Sequence, residues 1–217
     1  MVGKVYIIRH GQGVHNTFQN PDPRDALLRD AKLTIKGQQQ SVGLGQGFVD
    51  RNTVGVVMAS PLRRSVHTAL LGFSSVLNKR YFLSSEGGVA GGIDLILDPR
   101  LQEIDDELYN TGSTGEQLLA EWPNLDTALL VAPWPEKSGV FDPSGDAVKQ
   151  RAADIRQELW QRLNELTTQP VRRDIVLVSH GGFIQELTED NSLMIDNGRF
   201  KVFSMRMTAG VPKLIKL

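Results

Sequence analysis

Two short apolar runs, each ending in histidine and glycine, constrain this 217-residue chain more than any other feature. The first is Val5-Tyr6-Ile7-Ile8, which leads into Arg9-His10-Gly11. The second is Ile175-Val176-Leu177-Val178, which leads into Ser179-His180-Gly181. Unbroken β-branched and aliphatic runs read as strands buried on both faces, the habit of a parallel sheet. In open α/β sheets ligands bind beyond the carboxyl ends of the strands, so Arg9, His10 and His180 stand where chemistry is usually done. A guanidinium beside an imidazole suggests an anionic substrate, phosphate above all, because arginine offers a planar fork of donors. The competing reading of such a histidine is that it merely ends a strand.

Between and beyond these runs, residues 17–30, with Pro21 and Pro23, read as a loop overhanging the first strand, with a short helical piece at 25–28. Thr34 caps a helix in which Leu44 and Phe48 recur at helical spacing. Gly37, Gly43, Gly45 and Gly47 predict either close packing against a neighbour or an irregular helix. Residues 54–59 form a strand. Ser60 then caps a helix with Pro61 in its first turn, followed by Arg63 and Arg64. Cations there oppose the helix dipole, which points to an anion-binding role for at least one of them.

Residues 77–92 are loop-like and 93–97 form a strand. Glu103 comes next, between Leu101 and Ile104, and then the cluster Asp105-Asp106-Glu107. A short helix is expected over 116–122. A longer amphipathic one over 144–166 places Val148, Ile155, Leu159, Leu163 and Leu166 on one face. A helix over 183–190 and a hairpin of 200–207 with 211–217 complete the chain. No repeat or linker interrupts it, so residues 1–217 read as one domain.

Composition narrows the chemistry. Without cysteine there are no disulfides, thiol nucleophiles or thiolate metal sites. The net charge of −1 supplies no global field for nucleic acid or an anionic membrane, so charge for binding phosphate must be local. Met1-Val2-Gly3-Lys4 runs straight into the first strand, and no apolar run is long enough to span a bilayer. A soluble, cytoplasmic protein is expected. Two strand ends carry histidines, a third leads into arginines and a fourth into Glu103. A parallel sheet would gather them on one edge. Arginines, two imidazoles and a carboxyl group suit phosphoryl transfer, in which one imidazole attacks phosphorus and an acid protonates the leaving oxygen. On the residues alone His10 and His180 are interchangeable.

These residues resemble the histidine phosphatase superfamily, in the branch that includes cofactor-dependent phosphoglycerate mutase and fructose-2,6-bisphosphatase. Arg9-His10-Gly11 with Asn16 is similar to R-H-G-x-x-x-x-N, and Leu33-Thr34 with Gly37 and Gln40 to L-T-x-x-G-x-x-Q. Ser60-Pro61-Leu62, Arg64, Thr68 and Ala69 match S-P-L-x-R-x-x-Q-T-A, with His67 in place of the glutamine. Leu101 with Glu103 matches L-x-E, and Ser179-His180-Gly181 matches the closing S-H-G. The resemblance implies a three-layer α/β/α sandwich with a mostly parallel central sheet. It also implies phosphomonoester hydrolysis through a phosphohistidine on His10, without metal or cofactor. Arg9, Arg64 and His180 would hold the phosphoryl group, assisted by Asn16 and the Gly181 amide, and Glu103 would be the general acid and base.

Two departures stand out. His67 is one helical turn beyond Arg64 and either packs or faces the pocket. The segment after Glu103 lacks the family's glycine, so Asp105 or Asp106 is an alternative proton donor. The expected partner is a phosphorylated small molecule, with a phosphoprotein as alternative. Rival activities are mutase-type transfer, a phosphate-binding or repurposed member of the fold, and a metal hydrolase built on His10, His15 and His180 with the acidic cluster Asp105-Asp106-Glu107.

Overall fold

The structure, a computed structural model, describes residues 3–17, 28–83 and 87–217. Most of the helical piece expected over 25–28 therefore lies outside the described residues. One sheet is formed by β1 (Val5–Arg9), β2 (Val54–Ala59), β3 (Leu95–Leu97), β4 (Asp174–Ser179), β5 (Phe200–Thr208) and β6 (Val211–Lys216). Their spatial order is β3-β2-β4-β1-β5-β6. The first four in that order are parallel, and the β5–β6 hairpin joins β1 antiparallel.

Helices cover both faces because successive strand side chains point in opposite directions. Val5 and Ile7 of β1, with Ile175 and Leu177 of β4, pack against α4 (Gly145–Leu166) and α5 (Gly181–Thr188). Tyr6, Ile8, Val176 and Val178 pack against α1 (Ile35–Gly47), α2 (Arg63–Gly72) and α3 (Gly115–Glu121). Fully burying each such aliphatic side chain stabilises the fold by about 1.5–3 kcal/mol. The expected mostly parallel α/β sheet between helical layers is what the chain forms. No helix among the described residues is long and apolar enough to cross a membrane.

Strand register determines where the two histidines emerge. Arg9 is paired with Ser179, so His10 and His180 leave neighbouring strands side by side. The spacing of about 4.8 Å between adjacent strands accounts for ring centroids 5.0 Å apart. Both rings fall on the α2 side, whereas Arg9 takes the α5 side with Val5 and Ile7.

Three elements differ from the sequence expectation by two residues at a boundary. α2 begins at Arg63 with Leu62 as its N-cap, and Ser60 does not cap it. The Ser60 N–H belongs to the sheet, donating to Val178 O at 3.0 Å, so Pro61 turns the chain between strand and helix. β3 covers only Leu95–Leu97, because Ile93 bridges to Leu77 instead. α5 starts two residues before Phe183 and ends at Thr188, where Glu189 adopts a left-handed φ of 55°.

The glycines of α1 divide into two kinds. A Cβ on Gly45 would lie 2.2 Å from the Gly72 carbonyl oxygen, so α1 and α2 touch backbone to backbone there, whereas one on Gly43 would meet nothing within 4 Å. Gly45→Ala should therefore lower the unfolding free energy by about 1–3 kcal/mol through overpacking. Gly43→Ala should raise it by up to about 1 kcal/mol through helix propensity. Urea unfolding of the two variants checks the contrast.

Candidate functional site

His10 is 2% exposed. Its Nδ1 lies 2.7 Å from Gly11 O, which makes Nδ1 the protonated nitrogen and leaves the lone pair on Nε2. That lone pair faces Arg64, whose Nε–H approaches Nε2 at 3.1 Å. Arg64 projects from the first turn of α2 and is fully buried. Its Nη1 donates to Tyr109 O at 2.8 Å, and its Nη2 donates to Asn110 Oδ1 and lies 3.1 Å from His180 Nδ1. With Nδ1 accepting from a cation, His180 carries its proton on Nε2, 2.8 Å from Ser60 Oγ. Ser60 is therefore a partner of the site rather than a helix cap.

Arg9 reaches the same edge from β1. Its Nη1 donates to Ile195 O at 3.2 Å, and its guanidinium lies 3.6 Å from where a Cβ on Gly181 would be. Asn16 closes its own loop, Oδ1 accepting from Gly13 N at 3.0 Å. Asn197 donates to His10 O at 3.0 Å and is 3.4 Å from Asn16 Oδ1, tying that loop to the end of β1. Glu103 lies at the start of α5. Its Oε1 accepts from Phe183 N at 2.9 Å and Ile104 N at 3.0 Å, and its Oε2 accepts from Gly182 N at 3.2 Å. A carboxylate is well placed there, where helix N–H groups lack partners.

Arg9, His10, Arg64, Glu103, His180 and Gly181 are thus gathered at the carboxyl edge of the sheet, with Asn16 beside them. Asp105 is held one step back, accepting from Asn110 Nδ2 at 2.6 Å, and Asp106 is exposed. Arg63 is turned away into an ion pair with Glu121 at 3.0 Å. His67 packs with its ring centroid 5.9 Å from that of Trp122, between α2 and α3. Among the described residues, no group of three His, Cys, Asp or Glu side chains is placed to hold a metal ion.

Several neighbours had no signal in the sequence. Asn110 and Tyr109 lie outside every motif yet hold Arg64. Asp30 is 1% exposed and accepts from Arg63 N at 2.8 Å and Ser113 N at 3.0 Å, joining three segments around α2. Burial raises its pKa. His15 stacks on Tyr109 with centroids 4.9 Å apart and planes 14° apart, and its ring is 5.7 Å from that of His10. Gly13 makes room for it, since a Cβ there would lie 2.6 Å from His15 Cε1. Of these neighbours only His15 was singled out by the sequence, as a ligand of the metal-hydrolase alternative.

Burial is the main reason that His10, His15 and His180 all have lowered pKa values, with the charge of Arg64 next. For His15 the value is about 3. The unfolded chain takes up protons near the ordinary imidazole value of about 6.5 that the folded chain refuses. Stability is then fully present above that pH and is lost progressively as pH falls below it. Each imidazole should contribute a slope of about 1.4 kcal/mol per pH unit there. Urea unfolding between about pH 7.5 and 5 measures the slope, and His15→Gln should remove one proton's share of it.

The sequence profile of the histidine phosphatase superfamily (branch 1) matches residues 5–211. The probable phosphoglycerate mutase GpmB of Enterobacter sp. (strain 638) is 33% identical over 104 residues, which span 47% of this chain and 38% of that protein. Among solved structures, a mycobacterial glucosyl-3-phosphoglycerate phosphatase superposes with TM-score 0.56 at 20% identity, covering 99% of this chain and 97% of the other. The Entamoeba histolytica phosphoserine phosphatase does so with TM-score 0.54 at 19% identity, covering 98% and 94%. At such identities the structural likeness concerns the fold, but the profile spans nearly the whole chain: the protein belongs to branch 1 of the histidine phosphatase superfamily.

Proposed function

We propose that the protein hydrolyses phosphomonoesters through a phosphohistidine intermediate on His10. The observation that carries this reading is a neutral, buried imidazole whose Nδ1 is engaged by Gly11 O and whose Nε2 faces the Arg64 guanidinium. A lone pair on Nε2 at neutral pH is what a nitrogen nucleophile needs, and a guanidinium beside it is what a phosphoryl group needs.

In the first step Nε2 bonds to phosphorus as the bond to the leaving oxygen breaks, and Glu103 gives that oxygen a proton. In the second step Glu103 takes a proton from water, the hydroxyl oxygen bonds to phosphorus, and the P–N electron pair returns to Nε2. Arg9, Arg64 and His180 surround the phosphoryl oxygens, with Asn16 and the Gly181 amide assisting, and no metal or cofactor takes part. Glu103 is preferred to Asp105 as the proton carrier because its carboxyl group stands at the start of α5, beside Gly182 and next to Gly181, whereas Asp105 is engaged by Asn110.

Small phosphorylated molecules are the substrate class, in keeping with the phosphatases that share the fold. Cytoplasmic location is part of the same reading, on the cysteine-free composition. The match to a probable phosphoglycerate mutase favours one alternative, in which a substrate hydroxyl rather than water receives the phosphoryl group from His10.

Hydrolysis of p-nitrophenyl phosphate tests the reading. The wild-type protein should release phosphate and become labelled with acid-labile phosphate, and a chelator should leave turnover unchanged. His10→Ala should lose about three orders of magnitude or more in kcat. A wild-type protein with neither turnover nor labelling refutes it.

A further inference from the structure

Four successive carbonyl groups lead up to and include that of Glu103, and each is held by a side chain from elsewhere in the fold. Arg151 of α4 donates through Nη1 to Arg100 O at 2.9 Å and to Gln102 O at 3.1 Å. Ser179 Oγ donates to Leu101 O at 2.7 Å. Lys137 Nζ donates to Glu103 O at 3.1 Å, across 34 residues of sequence. It is the last of these contacts, and it acts on the residue that bears the carboxyl group.

The chain that delivers Lys137 is itself anchored. Trp134 is 5% exposed, packs with Leu62 and Phe141, and donates from Nε1 to Ser113 O at 3.0 Å. Its ring occupies the space that a Cβ on Gly112 would need. Lys137 is half-buried, and its hydrogen-bond partner is a carbonyl rather than a carboxylate. Ordering so flexible a side chain and desolvating its ammonium both oppose folding, so plain stability is a poor reason for it to be there.

Charged and titratable groups of several elements act on it: Glu103 and Asp105 of the adjoining segment, Arg64 of α2, Arg151 of α4, and His180 at the end of β4. Burial, then Arg151, and less strongly Arg64, lower its pKa to about 8, against the opposing pull of Asp105 and Glu103.

We propose that Lys137 is the positioning residue for Glu103, fixing the backbone from which the carboxyl group reaches the leaving oxygen. This rests on the reading of Glu103 as proton donor. Its consequence is selective, because a positioned acid matters only where the leaving oxygen cannot depart without a proton. Loss of the ammonium's proton also turns a charge-assisted hydrogen bond into a weaker, ordinary one.

The test compares kcat/KM for p-nitrophenyl phosphate, whose phenolate leaves unprotonated, with that for an alkyl phosphate, whose alkoxide does not. Lys137→Met should lose about tenfold or more on the alkyl ester and stay within about twofold of wild type on the aryl ester. Lys137→Arg should restore the alkyl rate, and Glu103→Gln should show the same dependence on leaving group. With the alkyl ester, wild-type kcat/KM should fall as pH rises through about 8, and Lys137→Met should lack that limb. Equal losses on both esters, or an unchanged alkaline limb, overturn the inference while leaving the phosphatase reading intact. A wild-type protein that hydrolyses neither ester overturns both.

Discussion

The buried Arg64 guanidinium is the group around which the site is assembled. Removing a cation from water costs several kcal/mol unless its donors are satisfied, and Arg64 meets that condition without being neutralised. Its nitrogens bond to two neutral imidazoles, a backbone carbonyl and an amide oxygen. Asp30, Glu103 and Asp105 act on it from further off, offsetting part of the burial that lowers its pKa to about 10. Asn110 has a telling place in this arrangement. It orients Arg64 through its oxygen and passes the remaining hydrogen bond to Asp105, so the carboxylate stands one bond away from the guanidinium. The positive charge therefore stays available to an anion.

The same cation determines the state of both histidines. By donating to His10 Nε2 and His180 Nδ1 it selects their tautomers, and burial, with its field second, keeps both rings neutral. That these groups meet at all follows from the alternation of side chains along parallel strands. His10 and His180 stand on adjacent strands at matching register positions and point to the α2 side. Arg9 and Glu103 come to the other side, against α5. A phosphoryl group at this edge would have His10 on one side and Glu103 on the other.

How much of this was legible beforehand depended on whether the information was local. The buried strands β1 and β4, the long α4 and the β5–β6 hairpin could be read because burial imposes a hydrophobic pattern on consecutive residues. Thr34 capped α1 as expected, its side chain accepting from Gly37 N. Ser60 looked like an equally good cap, but its N–H goes to the sheet and its hydroxyl is shared between His180 and the Leu62 N–H, and the helix starts at Arg63. No local rule weighs such competition.

The division within the site is similar. Residue order marked histidines, arginines and a carboxyl group at strand ends as candidates for phosphate chemistry, among which the family resemblance chose. It also required Arg9 and His10 to face opposite sides of the sheet, since that is a matter of parity. Tertiary packing was needed to bury Arg64 rather than Arg63, to bring Glu103 rather than Asp106 to the start of α5, and to set Asn110, His15, Asp30 and Lys137 around them. These contacts join segments tens of residues apart, and each depends on the packing of whole elements. A linear pattern carries no record of which distant loop is folded back onto a strand end.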